Sequence, residues 1–157
     1  MRYIIKLIAV QLTPFSFHIA VECNMGRRKV RMIVDTGASQ TVMSSHLIEK
    51  AGLETEKPEF NNVTVGIGAG ELAPVATEIP SLKIGEIRIV NLPCIVLPMD
   101  HINQTYKSMG QKSIDGIIGN DLLAVMQAVI DIKKFTLTAK MDKKTFDFGK
   151  YLEGFVV

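Results

Sequence analysis

The chain has little that would build a metal centre, a disulfide framework or a membrane span. Its 157 residues include only two cysteines, Cys23 and Cys94, and three histidines, His18, His46 and His101. The histidines are far apart and no Cys or His pair has ligand spacing, so no metal is expected. Both cysteines lie in apolar, β-like runs, where a free thiol behaves as a small hydrophobe. A disulfide between them is left open by the sequence. No stretch approaches the ~20 apolar residues of a membrane span, and no membrane association is expected. The run Met1-Arg2-Tyr3-Ile4-Ile5-Lys6-Leu7-Ile8-Ala9-Val10 superficially resembles a signal peptide, but Lys6 interrupts it and no small-x-small cleavage site precedes Pro14. A strand is the better reading there, and a cytoplasmic location is the expectation. Net charge is only +2, with basic residues scattered apart from Arg27-Arg28-Lys29, read as an exposed hairpin end. Nucleic acid is not an expected partner.

What is present suits one globular domain: 47% apolar and 22% charged residues. A chain of this size buries roughly 68–70% of its unfolded surface, enough for a core without staples. The sequence reads as short strands bounded by Gly, Pro and Asn. Extended runs are expected over 3–12, 15–23, 30–34 and 41–43, followed by a short helix to Lys50 capped by Ser44 or Ser45 and stopped by Gly52. A hairpin with a glycine-rich tip follows around 63–79, then a strand pair about Gly85. Further expectations are a weak helix to Met109 capped by Asp100 and ended by Gly110, a buried strand from Ile114 to Ile118 and a helix capped by Asn120. A closing hairpin runs through Lys133-Lys134. There is no internal repeat and no low-complexity segment. Many short strands with a few small helices imply a closed or partly closed barrel.

Two motifs carry chemistry. Arg31-Met32-Ile33-Val34 runs straight into Asp35-Thr36-Gly37-Ala38-Ser39, and the Asp-Thr-Gly occurs once. A buried approach ending in a carboxylate is costly unless the acid has a partner or a task. The small residues after it let backbone N–H groups close around the carboxylate. The second motif is Ile117-Ile118-Gly119-Asn120-Asp121. Together these resemble aspartic proteases of the retroviral type, in the cellular and bacterial branch of that group. The resemblance implies an all-β, single-domain, retropepsin-like acid-protease barrel with short helices and one half-site per chain. It implies Asp35 as the catalytic acid and Thr36, Gly37, Ala38 and Ser39 as the active-site loop. Gly66, Ile67, Gly68, Ala69 and Gly70 would form a flap over substrate, and Ile117, Ile118 and Gly119 the supporting strand. With one Asp-Thr-Gly per chain, the resemblance implies a homodimer acting as an endopeptidase on a peptide or protein substrate, with no cofactor. The protease domain would span 15–139, between an N-terminal strand or extension, 1–14, and a C-terminal extension, 140–157.

Two features depart from the viral pattern. Where an acid and an arginine pair in viral members, this chain has Ser39 and Asn120, both neutral and mutually consistent. Blander roles fit other acids: Asp115-Gly116 as a turn into the buried strand, and Asp131 as turn or cap. The glycine-rich run 66–70 lacks the Lys-Ser/Thr and helix of a phosphate loop. The apolar tail 151–157 reads as a terminal strand on the body or across a dimer, and more sharply as a segment occupying a partner's cleft. The rival function is a non-catalytic or latent, zymogen-like peptide-binding or scaffold domain that keeps the fold.

Overall fold

A computed structural model describes residues 1–57 and 75–154. The glycine-rich run 66–70 assigned to a flap lies outside the described residues. The fold opens with β1 (Arg2–Lys6) and β2 (Ile8–Thr13), one nearly continuous run that serves two different sheets. β3 (Ser16–Met25) and β4 (Arg28–Val34) form a hairpin through Gly26, whose φ of 61° is a turn conformation that favours glycine. β5 (Val42–Ser44) runs into α1 (Ser45–Ala51). Ser44 caps this helix by accepting the Leu47 N–H at 3.1 Å, and Gly52 ends it. β6 (Val75–Ile84) and β7 (Ile87–Leu97) come next, followed by α2 (Asp100–Ser108), β8 (Gly116–Ile118) and α3 (Asn120–Val125). β9 (Val129–Asp131), β10 (Thr136–Lys140), β11 (Thr145–Asp147) and α4 (Phe148–Glu153) complete the chain.

The caps expected at Asp100 and Asn120 fall elsewhere. Met99 and Gly119 hold the N-cap positions, without a side-chain cap. Asp100 and Asp121 instead place a carboxylate in the first turn, where the helix dipole favours it.

Six strands close a barrel. β4 pairs with β3, β3 with β6, β6 with β7, β7 with β5, β5 with β8, and β8 returns to β4. β8 is inserted between β4 and β5: parallel to β4 (Ile33↔Ile117, Val34↔Ile118) and antiparallel to β5 (Val42↔Ile117, Met43↔Gly116). β2 extends the sheet beyond β3, and β11 adds parallel to β7. A separate antiparallel sheet, in the order β1-β10-β9, covers one end.

The central strands are apolar on both faces because both faces are covered. Met32, Met43 and Ile118 point into the larger core with Ile79, Leu82, Ile89, Leu92 and Leu122. Their neighbours Ile33, Val42 and Ile117 turn the other way, into a second cluster with Ala38, Ile95, Leu97, Tyr106 and Ile114. Ile118 is fully buried; each such side chain contributes about 1.5–3 kcal/mol. The β2–β3 hairpin is tied to α2, where His18 Nδ1 and the Tyr106 hydroxyl share a hydrogen bond of 2.5 Å. Both cysteines are free and buried, and burial first, with a nearby acid second, pushes each thiol up to about 12. Among the described residues no helix is long and apolar enough to cross a membrane.

Residues 145–153 lie against their own chain. β11 pairs with β7 (Phe146↔Ile89), and the rings of Phe146, Phe148 and Tyr151 pack together. Asp147 holds this segment: its Oδ1 accepts from Asn91 Nδ2 at 2.9 Å and from the Gly149 N–H at 2.9 Å, capping α4. The Asn91 hydrogen bond is the main cause that holds this carboxyl below its usual range; desolvation opposes it, and the Lys150 and Gly149 N–H groups and the Lys150 charge add to the lowering. A carboxyl lowered on folding stabilises above its unfolded pKa and loses that contribution as pH falls through the folded value. The amide resonances of Gly149 and Lys150 should therefore titrate with a midpoint below that of an ordinary aspartate, with α4 loosening across the same interval. Asp147→Asn should remove that titration; an unchanged midpoint in the variant would refute the assignment.

Candidate active site

The ladder that builds the barrel also aims Asp35. β4 is buried through Ile33, and its pairing with β8 continues one residue past the strand, where the Asp35 N–H donates to Ile118 O at 3.0 Å. The chain then turns sharply: Asp35 Oδ1 accepts the Gly37 N–H at 2.8 Å, and the Ala38 N–H donates to Asp35 O at 3.2 Å. Asp35 is half-buried, Thr36, Gly37 and Ser39 are exposed, and Ala38 is buried in the second core cluster. The loop thus presents one oriented carboxylate at the surface over an apolar floor. A Cβ on Gly37 would lie 3.1 Å from Asp35 Oδ1, so glycine keeps the ground beside the acid clear.

The supporting strand meets the loop from below. Ile117 and Ile118 supply the ladder, and Gly119 supplies proximity. A Cβ at Gly119 would stand 2.5 Å from Gln40 C, 2.6 Å from Gln40 O and 3.0 Å from Ala38 O. Gly116 is just as constrained, because a Cβ there would collide with Val42 O and press on Met32 and Met43. Asn120 joins in with both its backbone and its side chain: its N–H donates to Ala38 O and its Nδ2 to Thr36 O, each at 2.8 Å. The residue at the viral arginine position therefore braces the loop through a carbonyl rather than through an ion pair.

A second clasp was not singled out from sequence. Asp121 Oδ2 accepts the Thr41 N–H at 2.9 Å and its Oδ1 accepts the Thr41 hydroxyl at 2.7 Å. Thr41 Oγ1 in turn accepts the Gly119 N–H at 3.2 Å, and Thr41 is fully buried. The only sequence signal was a polar residue at the head of an apolar strand, answered by an acid just past Gly119. Asp115, read as a turn residue, has its Oδ2 accepting the Arg31 N–H at 2.8 Å, which secures the entry to β8. Asp131 accepts the Lys134 N–H at 2.9 Å in the β9–β10 turn.

Beside the loop is an open depression of about 340 Å³, lined by Thr36, Asn120, Leu123, Ala124, Gln127, Ala128 and Ile130. It links the Asp35 loop to β9, which pairs only with β10 among the described strands. No group of three or more His, Cys, Asp or Glu among the described residues could hold a metal ion.

A family model described as aspartyl protease matches residues 19–122, from β3 through the Asp35 loop to the first turn of α3. The chain belongs to the aspartyl protease family. Its fold is retropepsin-like. It aligns with a retropepsin-like aspartic protease from Rickettsia conorii at a TM-score of 0.54 and 19% identity, covering 88% of this chain and 89% of that one. The retroviral protease-like domain of Ddi1 from Leishmania major aligns at 0.52 and 20% identity, covering 78% and 88%. Among full-length relatives, DNA damage-inducible protein 1 of Kluyveromyces lactis is 29% identical over 134 residues, which is 82% of this chain and 29% of that protein. The UBA domain-containing protein Mud1 of Schizosaccharomyces pombe is 28% identical over 122 residues, 77% of this chain and 32% of that protein. The chain thus spans about three-tenths of the length of the curated relatives it matches.

In this member of the aspartyl protease family the Asp121 clasp has a measurable consequence. Asp121→Ala should leave the buried Thr41 N–H and hydroxyl without their acceptor, lowering stability by about 1–3 kcal/mol. Asp121→Asn, which keeps one acceptor oxygen, should lose less. Chemical denaturation of the three proteins checks this, and equal midpoints would remove the clasp from the account.

Proposed function

We propose that the chain is an aspartic endopeptidase whose active site assembles from two copies of itself. The observation that carries this is the presentation of Asp35: one carboxylate, oriented by the Gly37 N–H, on a loop whose Thr36 is exposed beside the depression and near β9, whose outer edge is unpaired among the described residues. One carboxylate cannot both take and give a proton in the same step, but two sharing a proton can. In aspartic proteases generally, one acid of the pair is ionised and the other is not, because like charges at such a distance do not both persist. The ionised Asp35 would take a proton from water as its oxygen attacks the peptide carbonyl carbon. The protonated copy would give its proton to the carbonyl oxygen. Collapse of the tetrahedral species would return that proton and break the C–N bond, the leaving amine taking the other.

A twofold axis beside Thr36 would supply the second acid, since a symmetric interface sets a residue against its own copy. β9 suits that interface. Paired antiparallel with its own copy about Ile130, it would set Val129 against Asp131, with no like charges opposed. The substrate would be an extended peptide held largely through backbone hydrogen bonds.

The test is cleavage of a mixed peptide library, with solution mass measured over the same protein concentrations. Specific activity should rise with protein concentration in step with the dimer fraction. A protein that stays monomeric and inactive throughout would favour the rival reading, a latent or purely peptide-binding domain.

A further inference from the structure

Among the described residues the sheet β1-β10-β9 has two unpaired edges, and they differ in charge. At the β9 edge the outward side chains are Val129 and Asp131, and Asp131 is paired with Lys134 at 3.8 Å. At the other edge β1 buries Tyr3 and Ile5 and turns Arg2, Ile4 and Lys6 outward, with Ile4 72% exposed. β1 pairs with β10 alone among the described strands. Register places Lys140 beside Arg2, Thr138 beside Ile4 and Thr136 beside Lys6. Asp131 lies one strand further on, opposite Thr136. The outer rows nearest this edge are therefore cationic, apolar and cationic, and three of the chain's cations sit here although its net charge is only +2.

An open strand edge is a template for another strand. A second copy of β1 is a poor occupant: paired antiparallel about Ile4, it would set each Arg2 against a Lys6, and like charges directly opposite destabilise a pair. The same geometry suits an acidic strand. We propose that the β1 edge is a docking site for an extended segment of another protein in which acidic, apolar and acidic residues alternate at every second position. Such a segment adds to the sheet through backbone hydrogen bonds. Its apolar side chain lies beside Ile4, and its two carboxylates lie beside Arg2 and Lys6. The site is separate from the Asp35 loop and does not depend on catalysis.

The probe is a fluorescein-labelled peptide with the core Glu-Thr-Val-Thr-Glu, read by fluorescence anisotropy, with amide exchange locating the contact. Binding should be about tenfold tighter than for the same peptide with both Glu replaced by Gln, and should protect the amides of residues 2–6. N-methylation of the central Val should abolish it. The double variant Arg2→Glu/Lys6→Glu should lose the Glu peptide and acquire a Lys-Thr-Val-Thr-Lys counterpart. This reversal does not follow from mere loss of folding. The proposal is overturned by equal binding of the Glu and Gln peptides, by binding indifferent to N-methylation, or by protection confined to residues 35–41. It also fails if vesicles containing phosphatidylserine protect 2–6 where the peptide does not. Conversion of dimer to monomer by the double variant would assign the edge to self-association instead.

Discussion

Asp35→Asn should abolish peptide cleavage while leaving the fold and the assembly intact. The expected loss in kcat/KM is on the order of 10⁴-fold or more, the scale seen when a residue essential to a hydrolytic step is removed. The substitution is gentle on structure, because the amide oxygen can still accept the Gly37 N–H that orients the side chain. What it removes is the capacity to take and return a proton. In a shared site both copies carry the change, so no partner acid remains to compensate. Cleavage assays on wild type and variant, matched for solution mass, decide the matter. Activity surviving within tenfold would mean that the observed hydrolysis does not pass through this carboxylate.

Gly119→Ala should be strongly destabilising. Its new methyl would occupy space within 2.5–2.6 Å of the Gln40 backbone and 3.0 Å of Ala38 O. Backbone on both sides leaves no flexible side chain to give way. The loop carrying Asp35 must lift from β8, or β8 must leave its place between β4 and β5. Overpacking of this kind costs about 3 kcal/mol, at the upper end of its usual range, which for a domain of this size lowers Tm by roughly 6–12 °C. Gly52→Ala is the informative contrast. That position has a left-handed φ of 67° but open space around it, so only backbone strain applies, about 1–2 kcal/mol. Calorimetry of both variants separates close approach from conformational strain. Equal losses would show that the packing between loop and strand is looser than the distances imply.

Local chemistry made much of this legible before any fold was seen. An apolar strand ending in Asp-Thr-Gly can be recognised because burial and charge conflict within a few residues. The α1 boundaries were legible because Ser44 and Gly52 act on their own helix. The β3–β4 and β6–β7 turns were marked by Gly26 and Gly85, which carry positive φ. The barrel followed from many short strands separated by turn residues, and the structure closes it.

The errors lie where tertiary contacts outrank local signals. Asn120 looked like a helix cap, but its side chain serves the Thr36 carbonyl instead. Gly116 looked like part of a turn, but it is a close-packing point against Val42 and two methionines. Asp121 and Thr41 meet across 80 residues of sequence, and no pattern along the chain registers that distance.

By itself, then, the sequence determined the chemistry on offer: one acid in one small-residue loop, and apolar strands to hold it. Those depend on residue type and spacing over a few positions, where backbone preference and burial act directly. Only the tertiary structure decided the threading of β8 between β4 and β5 and the clasp from Asp121 to Thr41. It also decided which strands of the end sheet are left with an unpaired edge among the described residues. These are products of long-range pairing, in which a residue's role is set by whichever distant segment arrives beside it.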